Sequence, residues 1–370
     1  MKHLLYITDQ QEYSEHGTIG ALFHGYLKEY LNINVVYFTK YKHSFQIKGD
    51  DFVVPSHHDK DVMTYLATKG RIDIAQYDYV FVRNVKHILK SVLSYRKKYN
   101  YKVGFRASFA KSTEAYEDAK HTKKGMMKSL GAQITNITKN KLINQVDIFM
   151  PTSQQMQKVF YPNITCKIYP LLTALDPQSI STRPLRDDGI CRFIYVGSLD
   201  RLREFEVVLD AFNAIQDLPW HLSVSVVDPQ VIKELLKVYP NLKDKVEVLH
   251  SDTLEDIRAQ ISSCDIGLGL LPNRELYNNA LSAKVVDYYS CAVPAFLSHS
   301  EKNHTIFEED SEALFSSFKS EEITQKLKLI IDMPATELIT MGEKGRQKLL
   351  DLGRNYEEMA KGLYEELESL

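Results

Sequence analysis

The chain predicts an α/β protein of two Rossmann-like, doubly wound domains. Three observations carry this reading. Apolar strand patterns alternate with helical patterns through both halves, a proline-containing stretch interrupts the alternation near the middle, and 370 residues suffice for two separate cores. Strands separated by helices of ten or more residues pair in parallel through crossovers, and such sheets hold ligands at the carboxyl ends of their strands.

In the first half, strand patterns fall at 3–8, 35–38, 79–82, 103–106 and 148–152. Helical patterns fall at 19–31, 62–68, 85–99, 153–160 and across a long basic segment at 121–145. A change of character follows at 171–189, where Pro177 and Pro184 precede Asp187, Asp188 and Gly189; this reads as a hinge. Alternation then restarts, with strands at 193–196, 221–226, 246–249, 266–271 and 295–297. The intervening helices fall at 204–215, 231–239, 254–262 and 281–290. Phe205, Val208, Leu209, Phe212 and Ile215 recur at helical spacing, and Thr253 with Asp256 three residues on forms a capping-box pattern. Amphipathic helices at 323–331 and 356–370 close the chain. The expected division is 1–170, a hinge at 171–189 and 190–355, with the last helix, 356–370, packing back on the first domain.

Charged residues at 25% and hydrophobic residues at 44% are ordinary for a globular protein. The formal net charge of −2 conceals an asymmetry: residues 1–170 carry 25 Lys+Arg against 14 Asp+Glu, and residues 171–370 carry 21 against 34. A basic half either meets something anionic or simply presents solvated helix faces. Cys166, Cys191, Cys264 and Cys291 show no metal-ligand spacing, which fits reduced thiols in a cytoplasmic compartment. The first ten residues read as a strand rather than a leader, and no run approaches the ~18 apolar residues of a membrane span. Membrane contact would therefore be peripheral, and no nucleic-acid partner is expected.

Two strand-loop-helix units carry the chemistry. In FIYVGSLDRLREFEVVL, Gly197 and Ser198 end a strand, and Arg201 and Arg203 stand at the mouth of the next helix. Glycine lets the backbone approach a ligand closely, and arginine binds phosphate bidentately. The alternative is a tight turn with solvated arginines. In CDIGLGLLPNRELYNNALSAKVVDYYSCAVPAFLS, the run Asn279, Ala280, Leu281, Ser282 precedes a helix carrying Lys284 and Asp287 on one face. Helix amino termini bind phosphate through unpaired N–H groups and the dipole, and a carboxylate one turn on can accept from vicinal ribose hydroxyls. The alternative is an exposed i,i+3 ion pair. Gly267-Leu268-Gly269 lies within a strand and lacks the third glycine of a dinucleotide fingerprint.

The succession V-G-S-L-x-x-x-R, C-D-I-G-L-x-x-L-P, K-x-x-D-Y and A-x-P resembles the group 1 family of retaining glycosyltransferases with the GT-B fold, which implies two domains facing one another across a cleft. The likeness extends over nearly the whole chain, its motifs lie within 193–297, and residues 168–176 are similar to the family's interdomain strand and turn. The resemblance places Gly197 on the family's first glycine, Arg203 on its diphosphate-binding lysine and Asp287 on the glutamate that holds the donor ribose. Residues 280–282 fall on the loop whose amides cradle the diphosphate. Ser198 stands in place of an arginine, Glu204 in place of a glycine, Asn279 in place of a glutamate, and Arg106 where a histidine is usual near the reacting sugar.

The resemblance implies a metal-independent transfer, without cofactor, from a nucleotide-diphosphate sugar to a glycan or lipid-linked acceptor in surface polysaccharide or glycoconjugate synthesis. On this reading 1–170 binds the acceptor and 190–355 the nucleotide-sugar. Arg203, Lys284, Arg106 and His16 would serve the chemistry. Gly197, Ser198, Arg201, His250, Asn279–Ser282 and Asp287 would bind the donor, with His250 near the base. Gly17 and Thr18 end a polar loop on the acceptor side, where His16 is either an acid or base or a solvated loop residue. The basic stretch 120–141, with Lys123 and Lys124, offers an anionic acceptor or membrane surface a docking face, or is a helix packed on the sheet. Two other readings fit the departures: a sugar-nucleotide epimerase of similar fold, and a non-catalytic partner subunit.

Overall fold

The structure, a computed structural model, describes residues 1–370 apart from 12, 14–16, 42, 109–139, 187, 227 and 252. The chain divides into two compact units, Met1–Leu172 with Glu357–Leu370, and Thr173–Tyr356. His16, Lys123, Lys124 and the basic segment up to residue 139 lie outside the described residues.

The first unit is built on β1 (His3–Gln11), β2 (Asn32–Thr39), β3 (Gln46–Lys48), β4 (Asp51–Pro55), β5 (Tyr79–Arg83), β6 (Lys102–Ala107), β7 (Ile148–Pro151) and β8 (Lys167–Ile168). Their order is β3-β4-β2-β1-β5-β6-β7-β8, parallel except for the β3–β4 pair. Buried on both faces, β1, β2 and β5 read as near-continuous apolar runs. Helices α1 (Val62–Thr68), α2 (Lys86–Tyr99) and α3 (Gln154–Phe160) cover the sheet, the last capped by the Ser153 hydroxyl. The helix expected at 19–31 is instead a π-helix at Ile19–Gly25 followed by a 3₁₀ turn at Tyr26–Glu29. Two glycines, Gly20 and Gly25, weaken an α-helical ladder there, and Gly25 leaves helical backbone altogether at φ −92°, ψ −111°. Three short elements had no readable pattern, β3, β4 and β8; β3 and β4 turn about Gly49 at φ +60°.

The second unit holds β9 (Cys191–Val196), β10 (Trp220–Ser225), β11 (Val246–Leu249), β12 (Ile266–Gly269), β13 (Ala295–Ser298) and β14 (Ala313–Ser316). All pair in parallel in the order β11-β10-β9-β12-β13-β14. The chain winds outward from β9 to β11, then returns to lay β12 on the other side of β9. The carboxyl ends of β9 and β12 therefore flank the topological switch point, the place where open parallel sheets receive ligands. Helices α4 (Glu206–Asn213), α5 (Pro229–Leu236), α6 (Leu254–Ser262), α7 (Ala283–Ser290), α8 (Glu301–Ile306), α9 (Ser320–Ile331) and α10 (Ala335–Asp351) connect and cover the strands. The capping box before α6 forms, Thr253 Oγ1 accepting from the Asp256 N–H and Asp256 accepting from the Thr253 N–H.

Residues 173–186 run along the second unit. The Leu175 N–H donates to the Arg354 carbonyl, and the Ser181 N–H to the Ser290 carbonyl. Arg183, buried, pairs with Asp265. The last helix, α11 (Tyr356–Glu368), belongs almost wholly to the first unit, where Tyr364 stacks on Tyr30 at 5.1 Å and Glu368 pairs with Lys2 at 2.8 Å. All four cysteines are free.

Candidate donor site

Three features bring the two sequence motifs together at the switch point. Tyr288, on α7, packs over Gly267, where an added Cβ would lie 2.2 Å from the ring. Its hydroxyl accepts from the Val196 N–H and donates to the Leu268 carbonyl, so one side chain ties β9, β12 and α7 together. Gly267 is thus a packing residue rather than part of a dinucleotide fingerprint.

The loop after β9 begins at Gly197, φ +122°, a backbone state that other residues rarely adopt. Its missing Cβ would face Lys284, 3.6 Å from both Cε and Nζ. Asp200 caps the following 3₁₀ turn and pairs with Arg203 at 3.0 Å, and Arg203 also donates to the Ser198 hydroxyl at 3.1 Å. Arg203 lies over the Tyr277 ring at 5.7 Å, whereas Arg201 and Ser198 are exposed. Glu204 takes the left-handed conformation, φ +49°, and pairs with Arg274 from the loop after β12. A glycine would hold this conformation without strain; here an acid adopts it and is held by a cross-loop ion pair.

Lys284 decides the character of the site. It is 7% exposed, and its amine has no hydrogen-bond partner. It sits 3.5 Å from the centre of the Tyr195 ring. Burial drives its pKa well below the usual lysine range, and the Arg203 charge pushes the same way. The i,i+3 ion pair with Asp287, the alternative for an exposed helix face, does not form: Lys284 points into the unit beside Gly197. Asp287 is half-buried on the same helix, and burial raises its carboxyl to about 6 against the opposing effect of Arg258.

Ser282 precedes α7 in extended conformation and makes no side-chain cap. The first helical N–H groups thus lack a side-chain cap. Asn279 is buried and donates to the Glu275 carbonyl; Leu281 is buried in the core, so only its backbone faces the site. His250 ends β11 exposed, and beside it Ser251 Oγ lies 3.3 Å from Ser225 Oγ at the end of β10.

The remaining candidates belong to the first unit. Gly17 adopts φ +56° and Thr18 precedes the π-helix. Arg106 is 3% exposed and donates to the Leu171 carbonyl at 3.0 Å. At the carboxyl ends of β1, β5 and β6, Asp9 pairs with Arg83 at 3.2 Å, and Asn84 donates to Asp9 and to the Ser108 hydroxyl.

No protein-family model and no curated protein sequence matches the chain. Solved structures do. A sucrose-phosphate synthase from Thermosynechococcus elongatus is similar over 100% of both chains, with TM-score 0.72 at 14% identity. Anabaena HepE, solved in complex with UDP and glucose, is similar over 100% of both chains, with TM-score 0.72 at 12% identity. The chain has the GT-B fold. A third GT-B structure, the catalytic domain of starch synthase IV from Arabidopsis thaliana bound to ADP and acarbose, is similar over 99% of this chain and 98% of its own, with TM-score 0.62 at 9% identity.

Within the GT-B fold of this chain, Gly197, Ser198, Arg203, Lys284 and the 279–282 run lie about one switch point. Sequence reasoning missed Tyr195, Tyr277, Arg274 and Lys302. Strand alternation places Tyr195 on the face of Gly197, which was the available signal for it. The others act across long separations that no local pattern records.

Proposed function

We propose that the chain is a glycosyltransferase that takes a sugar from a nucleotide-diphosphate sugar and passes it, with retention and without a metal, to a glycan or lipid-linked acceptor. The buried Lys284 amine without an acceptor carries the reading. A buried cation is costly unless paired, and a diphosphate is the ligand that pairs with it while also meeting Arg203 and the open amides of α7. Asp287 would accept from the ribose hydroxyls, and the base would lie towards His250 and Ser251. The bond between the anomeric carbon and the diphosphate oxygen breaks, and the acceptor oxygen bonds to that carbon as its proton passes to an oxygen of the departing diphosphate. Charge gathering on the departing diphosphate is stabilised by Lys284 and Arg203. That HepE and starch synthase IV were solved with UDP and ADP supports the same ligand class here.

The basic first unit suits an anionic or lipid-linked acceptor at the cytoplasmic face of a membrane, within surface polysaccharide or glycoconjugate synthesis. Among the described residues no helix is long and apolar enough to cross a membrane. Asn279, standing where the resemblance has a glutamate, favours one second reading: a partner subunit that binds the donor but transfers only with a companion enzyme.

Calorimetry with UDP-, GDP-, dTDP- and ADP-sugars, followed by an acceptor screen, tests both. One donor should bind and support transfer, and Arg203→Ala with Lys284→Ala should weaken binding about a hundredfold or more. Unchanged binding in that double variant overturns the site. Binding without transfer to any acceptor moves the conclusion to the partner subunit.

A further inference from the structure

The loop between β12 and α7 is pulled inward by a residue that neither motif contains. Lys302, on α8, donates from Nζ to the Tyr277 carbonyl at 2.9 Å and to the Ala280 carbonyl at 3.1 Å. It is the one donor to the Ala280 carbonyl among the described residues. Burial of this amine lowers its pKa to about 8, with Arg354 acting in the same direction. The amine's two bonds offset part of that loss of water.

The peptide geometry gives those bonds a consequence. No described peptide bond is cis, so the Ala280 carbonyl and the Leu281 N–H point to opposite sides of the chain. Holding the carbonyl towards Lys302 turns the Leu281 N–H the other way. That N–H and those of Ser282, Ala283 and Lys284 have no protein acceptor among the described residues.

We propose that Lys302 is a positioning residue for the donor: by drawing in the Ala280 carbonyl it adds the Leu281 amide to the open amides of α7 and completes the cradle for the diphosphate. The proposal rests on the reading of this site as a nucleotide-sugar site. It identifies the diphosphate, and not the nucleoside, as the part of the ligand that depends on Lys302.

Lys302→Met separates the two. Titration calorimetry compares the diphosphate that the donor panel selects (UDP, GDP, dTDP or ADP) with its monophosphate, and thermal unfolding is followed in parallel. Lys302→Met should weaken the diphosphate about tenfold or more while changing the monophosphate less than about threefold, the loss of charge-assisted bonds at the cradle alone. Lys302→Gln, which keeps a donor on a shorter chain, should recover part of the difference. If Lys302→Met does not fold, the comparison is made between Lys302→Gln and the wild type, with the same discrimination expected in reduced size. An equal loss for both nucleotides, or no loss, overturns the positioning role while leaving the donor site standing. A wild type that binds no nucleoside diphosphate at all overturns both.

Discussion

The Lys284 amine lies 3.5 Å from the centre of the Tyr195 ring and has no hydrogen-bond acceptor. A desolvated cation–π contact is worth about 2 kcal/mol, less than the several kcal/mol that removing an ammonium from water costs. The folded protein therefore holds an electrostatic demand at the switch point that an anion would satisfy.

Lys284→Met tests this demand, because methionine keeps the length of the side chain and removes the charge. The variant should be more stable by about 1–3 kcal/mol and should bind nucleoside diphosphates about ten- to a hundredfold more weakly. A lysine whose folded pKa is depressed burdens stability below that pKa, and the burden lifts as pH rises towards its ordinary 10.5. Wild type should thus gain on the variant as pH is raised, which thermal unfolding at several pH values measures.

Gly197→Ala separates backbone from space. An added Cβ would rest 3.6 Å from the Lys284 amine, ordinary contact, so the cost comes from φ +122° rather than from a clash. Destabilisation of about 1–3 kcal/mol is expected in chemical denaturation. Diphosphate affinity should fall as well, since the methyl group occupies the approach to the amine.

Much of the fold could be read in the sequence, because alternation and helical spacing are local properties. Helix α1, helix α6 with its capping box, and strand β11 lie where periodicity places them. The π-helix at Ile19–Gly25 follows the same apolar spacing as an α-helix, so periodicity alone could not separate them. At the site, Gly197, Arg203 and Lys284 stood out through residue type after a strand or before a helix. Their partners did not: Tyr195 reads as strand core, and Lys302 reaches Ala280 from 22 residues away.

Glu204 offers a test of why a glycine is dispensable after Arg203. Its left-handed backbone costs about 1–2 kcal/mol, and its half-exposed ion pair with Arg274 returns about 0–1 kcal/mol. Glu204→Gly removes the strain and the pair together and should stay within about 1 kcal/mol of wild type. Glu204→Ala removes the pair and keeps the strain, so it should be the less stable of the two in urea titration. Both variants lack the ion pair, so the reverse order would show that the left-handed conformation is not strained at this turn.

Asp287 sets a pH window. Its carboxyl is ordinary at 3.8 in the unfolded chain and is raised by burial to about 6 in the folded one. Between these values the folded state holds a proton that the unfolded state has lost, so this group makes the protein less stable as pH rises from 3.8 to about 6. Asp287→Asn should remove that slope. Ribose hydroxyls need the ionised form as acceptor. One pH unit below the folded pKa only about a tenth of the molecules carry it, which predicts about tenfold weaker donor binding at pH 5 than at pH 7. A nucleotide-sugar suits the measurement because its phosphates do not titrate in this range. Calorimetry should show the loss in wild type and a flat, weaker profile in Asp287→Asn; a wild-type affinity independent of pH would remove Asp287 from the ribose site.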